Sequence, residues 1–487
     1  MHLLQPELHT RRAFLRRSGQ LGLAGTALPF ALNLAAMGEA AAFDASDYKA
    51  LVCVFLYGGN DYANTVVTYD NASYDRYSTI RGGGAGRTAG GIALAKADLA
   101  ATLLTPSPGK ELAGGRQYAL HPTMTGLTNL FNTGKAAVQL NVGPLVVPLT
   151  RTQYNSTNRT LYPLPPKLFS HNDQQSVWQS SSPEGSTVGW GGNLGDLALS
   201  SNSNSLFTCI SVTGNAVFLS GDAALSYQVS TNGAIGITGV KNNVYGSAAV
   251  RSALTTLVQQ TSGQTLENEY NRVTRRSISS ETQISSALSS VALATSFPTG
   301  NPLADQLKTV ARLIASRSAL GSKRQVFLVS LGGFDLHDNL ISQQPTLMQR
   351  LSDAMTSFYN ATVELGVADK VTAFTASDFG RTLSSNGDGS DHGWGSHHFM
   401  VGGAVRGAAF YGTPPPVSVT NTTAPEDQWH VGQGRLLPTT SVDQYAATLA
   451  KWFGVADSEL VGMLPNITHF GAAANRPDYP VNLGFMG

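Results

Sequence analysis

Two successive helix–strand–loop units between residues 302 and 382 constrain the fold of this chain more than any other feature. A helical pattern leads twice into a short apolar run, with the helices over 303–319 and 345–365 and the runs over 325–331 and 370–376. Each apolar run ends in a polar loop that contains glycine. Such alternation predicts a mostly parallel sheet flanked by helices, in which ligands bind beyond the carboxyl ends of the strands.

Two further apolar runs belong to the same predicted sheet. Residues 48–57 form a continuous apolar stretch that ends in Gly58-Gly59-Asn60-Asp61, which is typical of a buried parallel strand. A helical pattern over 122–133 leads into the run 136–142. The only two cysteines of the sequence, Cys53 and Cys209, both lie in apolar runs, so we expect buried thiols rather than a disulfide.

The stretch from 195 to 300 has a different composition from its surroundings. Ser, Asn, Thr and Gly dominate it, with short alternating strands predicted around 205–218 and 225–238 and a helical stretch over 247–292. We interpret it as an insertion or lid in one α/β domain that spans residues 43–487, and not as a separate catalytic unit.

Composition excludes several classes of function. Charged residues make up 13% of the chain, about half the usual share, and the formal net charge is +1. A nucleic-acid-binding protein would need a basic surface, and a disordered charged chain would need far more charge. We therefore expect a folded protein that does not bind nucleic acid.

The first 42 residues have the parts of an export signal. Arg11-Arg12 and Arg16-Arg17 form a basic head, a Gly- and Ala-rich apolar stretch follows over 21–37, and Ala40-Ala41-Ala42 offers a cleavage site. Paired arginines followed by Phe-Leu resemble the twin-arginine signal of bacteria. We expect export by the twin-arginine translocase, a periplasmic or secreted location, and no transmembrane anchor after cleavage.

Polar and titratable side chains collect in the loops that follow the predicted strands. They are Asp61, Ser170 with His171, Asp335 with His337, Asp378, and a Gly-flanked group of Asp391, His392, His397 and His398. Because parallel strands end at one edge of the sheet, these groups are expected to converge. Carboxylates and imidazoles suit one or two divalent cations, with zinc favoured by His and manganese or magnesium by Asp.

Each of these residues also has a purely structural alternative. Asp61 could complete a tight Gly-Asn-Asp turn. Asp378 could be a helix N-cap. His397 and His398 could be solvated loop residues.

The loops carry short motifs that together cover essentially the whole chain. They are Leu56-Tyr57-Gly58-Gly59-Asn60-Asp61 with Asn64-Thr65, Ser170-His171, Gly332-Gly333-Phe334-Asp335-Leu336-His337, Ser377-Asp378-Phe379-Gly380-Arg381-Thr382, Asp391-His392-Gly393, Gly402-Gly403-Ala404-Val405-Arg406-Gly407 and Trp452-Phe453-Gly454. This set resembles the exported bacterial DUF1501 proteins. The family is similar in its expected fold to the alkaline phosphatase and sulfatase superfamily, whose enzymes hydrolyse phosphate and sulfate esters with metals at the strand ends.

The resemblance implies a role for each candidate residue. The metal ligands would be Asp61, Asp335, His337, Asp378, and either His392 or His398, with Asp391-His392 replacing the Asp-His pair that the superfamily has where this chain has Asp378-Phe379. Ser170 matches the position of the superfamily's nucleophile, and Thr65 competes with it. Arg381 would hold a non-bridging oxygen of the ester, or else cap its loop. Neither cysteine lies in Cys-x-Pro-x-Arg, which excludes a formylglycine sulfatase.

Together these expectations describe an exported, metal-dependent hydrolase of phosphate or sulfate esters. The substrate would be a small-molecule or polymer ester, and the metal zinc, with manganese, magnesium or calcium as alternatives. The competing interpretation is a catalytically degenerate relative that binds a ligand or partner outside the cytoplasm. Five or six converging Asp and His side chains favour an enzyme, whereas three or fewer favour a binding protein.

Overall fold

The structure is a computed structural model that describes residues 43–82 and 91–487. The predicted export signal, residues 1–42, lies outside the described residues. In the part of the chain that is described, no helix combines the length and apolar character that crossing a membrane requires.

A ten-stranded mixed sheet forms the centre of the described chain. Its strands are β1 (Lys49–Tyr57), β4 (Ala136–Gly143), β5 (Cys209–Ser211), β6 (Ser226–Ser230), β7 (Gly233–Ala234), β8 (Arg324–Gly332), β9 (Val371–Ser377), β10 (Ser396–Gly402), β11 (Phe410–Tyr411) and β12 (Thr440–Ser441). They lie in the order β11-β4-β10-β9-β1-β8-β5-β6-β7, and β12 also pairs with β4. Two short strands, β2 (Val66–Thr68) and β3 (Tyr118–Leu120), pair separately.

Helices cover both faces of this sheet. They are α1 (Tyr62–Thr65), α2 (Asn71–Ile80), α3 (Lys96–Leu99), α4 (Thr125–Asn132), α5 (Arg151–Asn155), α6 (His171–Ser180), α7 (Trp190–Ala198), α8 (Thr238–Lys241), α9 (Ala248–Leu257), α10 (Thr265–Ser289), α11 (Pro302–Ala315), α12 (Leu340–Glu364), α13 (Val442–Phe453) and α14 (Asp457–Met463). One apolar cluster joins α4, α11 and α12 to one face, and a second joins α7 and α13 to the other. Six of the nine strand pairings in the large sheet are parallel, so the predicted fold class is confirmed.

Strand β1 shows why a continuous apolar run marks the middle of such a sheet. Its side chains alternate between the two apolar clusters, with Val52 and Val54 in one and Cys53 and Phe55 in the other. Both faces of the strand are therefore buried, and β8 and β9 flank it in parallel register. Cys53 and Cys209 are buried free thiols, as the sequence predicts.

Part of the stretch 195–300 lies in the central sheet. Strand β5 pairs in parallel with β8, and β6 continues the sheet beyond it, so these two strands belong to the central sheet. Helices α8 and α9 contain no buried residue, whereas the end of α10 buries Ile284 and Leu288 in the main cluster. A three-residue strand among Ser and Asn residues carries too little apolar signal to be recognised as part of the sheet.

Strand β10 lies where the sequence predicted a Gly-flanked polar segment. His397 and His398 are its second and third residues, and both are buried. The strand runs antiparallel to β9 and β4, and Phe399 and Val401 contribute to the main apolar cluster. Because the strand begins with Ser396 and two histidines, only its second half is apolar, and the sequence pattern does not predict a buried strand.

Candidate metal centre

The candidate site lies where β1, β8 and β9 end together. Tyr57 is in register with Gly332, and Leu56 with Ser377, so the three following loops leave the sheet side by side. The β1 and β8 loops then touch. At Gly58, whose φ is +117°, a Cβ atom would lie 2.4 Å from the backbone nitrogen of Asp335, so only glycine permits this approach.

Three imidazole rings from three separate loops meet beyond these strand ends. His171 is the first residue of α6, His337 lies between β8 and α12, and His392 lies between β9 and β10. The Nε2 atom of His392 is 3.1 Å from Nε2 of His171 and 3.0 Å from Nε2 of His337. The same nitrogen of all three rings therefore faces one small region.

The other ring nitrogen, Nδ1, faces a hydrogen-bond acceptor in every case. The pairs are His171 with Asp378 Oδ2 at 2.6 Å, His392 with the carbonyl oxygen of Phe169 at 2.7 Å, and His337 with Asp391 Oδ1 at 3.3 Å. With the proton of a neutral ring on Nδ1, each of these contacts is a hydrogen bond, and Nε2 of that ring is left as the acceptor or ligand atom. Outer hydrogen bonds of this kind are those that metal-ligating histidines make.

Asp335 completes the cluster with a carboxylate. Its Oδ1 is 3.1 Å from His337 Nε2 and 3.4 Å from His392 Nε2, and its Oδ2 is 3.4 Å from His171 Nε2. Arg381 Nη1 donates to Oδ1 at 2.8 Å. Partial burial opposes ionisation of Asp335, but this hydrogen bond and the arginine charge outweigh it and lower the pKa of the carboxyl group.

The donor set fits a single divalent cation. Ligand atoms of His171, Asp335 and His392 all lie within 4.8 Å of one another, and His337 adjoins the last two. Zinc bonds of about 2.0–2.1 Å in a tetrahedron place neighbouring donors about 3.3–3.4 Å apart. The separations among His171 Nε2, His392 Nε2 and the Asp335 oxygens are 3.1–3.4 Å, close to this value. The side chains of His171 and His392 are 27% and 25% exposed, which leaves the cluster open to a substrate.

The two central histidines have opposite pKa shifts. The hydrogen bond to Asp378 raises the pKa of His171, and the charges of Asp378 and Asp335 add to this effect against burial. Burial lowers the pKa of His392, which the Phe169 carbonyl only partly offsets. Of the two adjoining rings, His171 is therefore the more basic.

The model of one protein family, described as "Protein of unknown function (DUF1501)", matches residues 48–461, which include every member of the cluster. The chain belongs to the DUF1501 family. None of the curated proteins compared with this DUF1501 chain is similar to it in sequence.

Several solved structures share features with the DUF1501 chain at low identity. Ps i-CgsB in complex with k-i-k-neocarrahexaose is 10% identical with a TM-score of 0.34, over 90% of this chain and 78% of that one. PsFucS1 sulfatase from Pseudoalteromonas sp. is 9% identical with a TM-score of 0.34, over 93% of this chain and 72% of that one. The lipoteichoic acid synthase LtaP from Listeria monocytogenes is 9% identical with a TM-score of 0.31, over 85% of this chain and 74% of that one. At these values the likeness carries no argument about chemistry.

Of the predicted metal ligands, Asp335, His337 and His392 lie in the cluster, and Asp378 and Asp391 lie one hydrogen bond outside it. Asp378 Oδ2 accepts hydrogen bonds from His171 Nδ1, Gln175 Nε2 and the backbone nitrogen of Gly58. Its carboxylate thus orients a ligand instead of joining the donor set. Asp391 does the same for His337.

Asp61 and Thr65 lie in a different buried network, so the predictions that they are a ligand and a nucleophile need correction. Asp61 caps α1 and forms an ion pair with Arg81 at 2.8 Å, and it accepts from Ser390 Oγ at 3.0 Å. Thr65 has no exposed surface, and its hydroxyl donates to the Asp61 carbonyl at 2.7 Å. The Gly-Asn-Asp sequence after β1 begins a short helix that turns these side chains inward.

His398 is also outside the cluster, contrary to the prediction that it could be the last ligand. Its ring is fully buried on β10, 4.8 Å from the Trp178 ring, and Nδ1 is 3.3 Å from Thr375 Oγ1. Burial lowers its pKa to about 3, so the ring stays neutral. His397 accepts from the backbone nitrogen of Asn141 and is likewise a core residue.

The two remaining predicted catalytic residues have their polar atoms engaged. Arg381 is fully buried, and its guanidinium donates to Asp335, to the Gly58 carbonyl and to the Ser390 carbonyl. It therefore fixes Asp335 instead of presenting N–H groups to a substrate. Ser170 Oγ donates to Asp173 Oδ2 at 2.8 Å within the first turn of α6.

The sequence places His171 among the side chains expected to converge, but does not assign it as a metal ligand. Phe169, two residues earlier, supplies the carbonyl that holds His392, and its φ of 72° is unusual for a bulky residue. Backbone strain of this kind concentrates at functional sites. A helix that begins with His directly after a Pro-rich stretch was the available signal.

Proposed function

We propose that this DUF1501 chain is an exported, metal-dependent hydrolase of phosphate or sulfate esters that uses one divalent cation. The preferred ion is zinc, because imidazole nitrogens dominate the donor set. Export and the ester class rest on the arginine-rich leader and on the resemblance to the alkaline phosphatase and sulfatase superfamily. One cation replaces the two that the sequence allowed.

One observation carries the proposal. The Nε2 atoms of His171 and His337 lie 3.1 and 3.0 Å from Nε2 of His392, while Nδ1 of every ring faces an acceptor. In the metal-free protein a proton on one ring bridges neighbouring Nε2 atoms, and a divalent cation in place of that proton would be held by the same nitrogens and by the Asp335 carboxylate.

The chain's own residues orient the donors and hold their protons. Asp378, the Phe169 carbonyl and Asp391 keep the proton on Nδ1 of the three rings, which leaves Nε2 free to bind. Arg381 fixes Asp335 as a carboxylate. The chemistry that a bound divalent cation supplies is Lewis acidity, which lowers the pKa of a water molecule and polarises an ester oxygen.

Metal content and turnover, measured together, test the proposal. The mature chain, purified from the periplasm, should hold one zinc-class ion and hydrolyse p-nitrophenyl phosphate or p-nitrophenyl sulfate. Asp335→Asn should lose both metal and turnover, because it removes the charged donor. Asp338→Asn, an exposed carboxylate three residues along the same loop, is the matched control and should lose neither. Turnover that survives removal of all metal would contradict the proposal.

Binding without turnover is the second candidate, and one observation favours it. Neither predicted hydroxyl nucleophile is free, since Thr65 is buried and Ser170 donates to Asp173. A water nucleophile would reconcile these positions with hydrolysis. A wild-type chain that retains its metal and cleaves none of the phosphate and sulfate esters offered would instead identify a binding protein.

A further inference from the structure

A second guanidinium, that of Arg435, lies at the rim of the cluster. Its Nε donates to the backbone carbonyl of His392 at 2.7 Å. Its guanidinium carbon lies 5.4 Å from the centre of the Phe169 ring, whose residue holds His392 through the carbonyl oxygen. Arg435 is therefore held in place by His392, one of the candidate metal ligands, and by Phe169, whose carbonyl oxygen orients that ligand.

The terminal nitrogens of Arg435 are free, unlike those of Arg381. Within residues 43–82 and 91–487, neither Nη atom of Arg435 has a hydrogen-bond or ion-pair partner. The side chain is nevertheless half-buried. A partly desolvated charge without a direct ion pair is unfavourable, which an anionic ligand would relieve.

The charge balance of the site also favours an anionic ligand once a cation is bound. Three carboxylates and two guanidiniums surround the cluster: Asp335, Asp378, Asp391, Arg381 and Arg435. Their formal sum is −1, which a divalent cation changes to +1. Of these two arginines, only Arg435 has N–H groups left to bind a substrate oxygen.

We propose that Arg435 binds the phosphate or sulfate group of the ester through its two terminal nitrogens. The inference rests on the proposed function, and it assigns to Arg435 the binding of an ester oxygen that the family resemblance implied for Arg381. A planar guanidinium whose stacking and Nε bond fix its orientation can present a fork of N–H groups to a tetrahedral oxyanion. Arg435 thereby selects anionic esters over neutral ones of the same size.

Binding of inorganic phosphate and of inorganic sulfate to the zinc-loaded mature chain tests this role. Arg435→Gln should weaken the binding of at least one of these anions about tenfold or more, since a charge-assisted, bidentate contact is lost. Arg435→Lys should restore part of the affinity, because it keeps the charge without the fork. Arg76→Gln, at an exposed arginine of α2, is the control and should leave binding unchanged.

Turnover of paired substrates separates anion recognition from a general defect. Arg435→Gln should lower kcat/KM for p-nitrophenyl phosphate or sulfate about tenfold and leave p-nitrophenyl acetate nearly unaffected, with metal content unchanged. Equal anion affinity in wild type and Arg435→Gln, both metal-loaded, would overturn the inference and leave the proposed hydrolase standing. Loss of metal from both Arg435 variants would also overturn it, since the residue would then only position His392. If the purified wild-type chain held no metal but its phosphate affinity still fell in Arg435→Gln, the proposed metal-dependent hydrolase would be wrong and the proposed anion site would stand.

Discussion

Replacement of Asp378 by asparagine tests the most deeply buried support of the metal centre. Asp378 has no exposed surface, and its Oδ2 accepts from His171 Nδ1 at 2.6 Å and from Gln175 Nε2 at 2.8 Å. Asparagine keeps the size and one acceptor oxygen. It removes the negative charge, however, and places an amide nitrogen where Oδ1 lies buried with no hydrogen-bond partner among the described residues.

The expected loss of zinc affinity is about 10- to 100-fold, which is typical for an outer partner of a ligating histidine. This corresponds to about 1.4–2.8 kcal/mol. We expect the upper part of that range, because the contact is short, charge-assisted and buried. Asp391→Asn is the matched comparison: the Asp391 side chain is 37% exposed and lies 3.3 Å from His337 Nδ1, so its loss should be smaller.

Competition with a chromogenic zinc chelator measures both affinities. Thermal unfolding of the metal-free proteins, measured in parallel, separates a weakened site from a weakened fold. The reasoning is refuted if Asp378→Asn binds zinc as tightly as the wild type. It is also refuted if Asp391→Asn loses more affinity than Asp378→Asn at unchanged metal-free stability.

Three further predictions address export, the nucleophile and stability. Changing Arg11 and Arg12 to lysine should leave precursor in the cytoplasm, as judged by fractionation and immunoblotting, since the translocase reads paired arginines; unchanged export from a strain lacking that translocase would contradict this. Ser170→Ala should keep its metal and at least about a tenth of kcat if water is the nucleophile; complete loss of turnover with metal retained would identify Ser170 instead. Burial raises the pKa of Asp443 from the ordinary value of 3.8 to about 6. The contribution of the protonated carboxyl group to folding stability is therefore fully present below pH 3.8 and is lost as the pH rises through about 6. Asp443→Asn should therefore raise the free energy of unfolding at pH 7.5 by up to about 3 kcal/mol, seen as a higher Tm, and change Tm little at pH 3.5.

The sheet could be predicted from the sequence because its central strands are long and apolar on both faces. The predicted runs 325–331 and 370–376 differ from β8 and β9 by one residue at each end. The short strands were predicted around 205–218 and 225–238, but not as part of this sheet, and the polar start of β10 hid that strand altogether. Strand β5 has three residues, and β10 begins with Ser396 and two histidines.

The site was predicted in part, because sequence gives the loop that carries a residue and not the direction of its side chain. Asp335 and His392 meet as expected, since both lie in loops at the carboxyl edge of the sheet. Asp61 leaves the same edge, but as the N-cap of α1 it turns toward Arg81. His398 is only six residues beyond His392, yet β10 carries it into the core.

The positions of Asp61 and Asp378 favour a site for one cation over a site for two. A second cation would need further carboxylates near the cluster, and the two expected to supply them were Asp61 and Asp378. The charge of Asp61 is already neutralised by a fully buried Arg81 at 2.8 Å. The Oδ2 atom of Asp378 accepts three hydrogen bonds, one of them from a ligand of the first site. Asp61 is thus paired and one oxygen of Asp378 is taken up by His171, which is why we propose a single cation. In that proposal Arg435 supplies the second positive charge for a bound oxyanion.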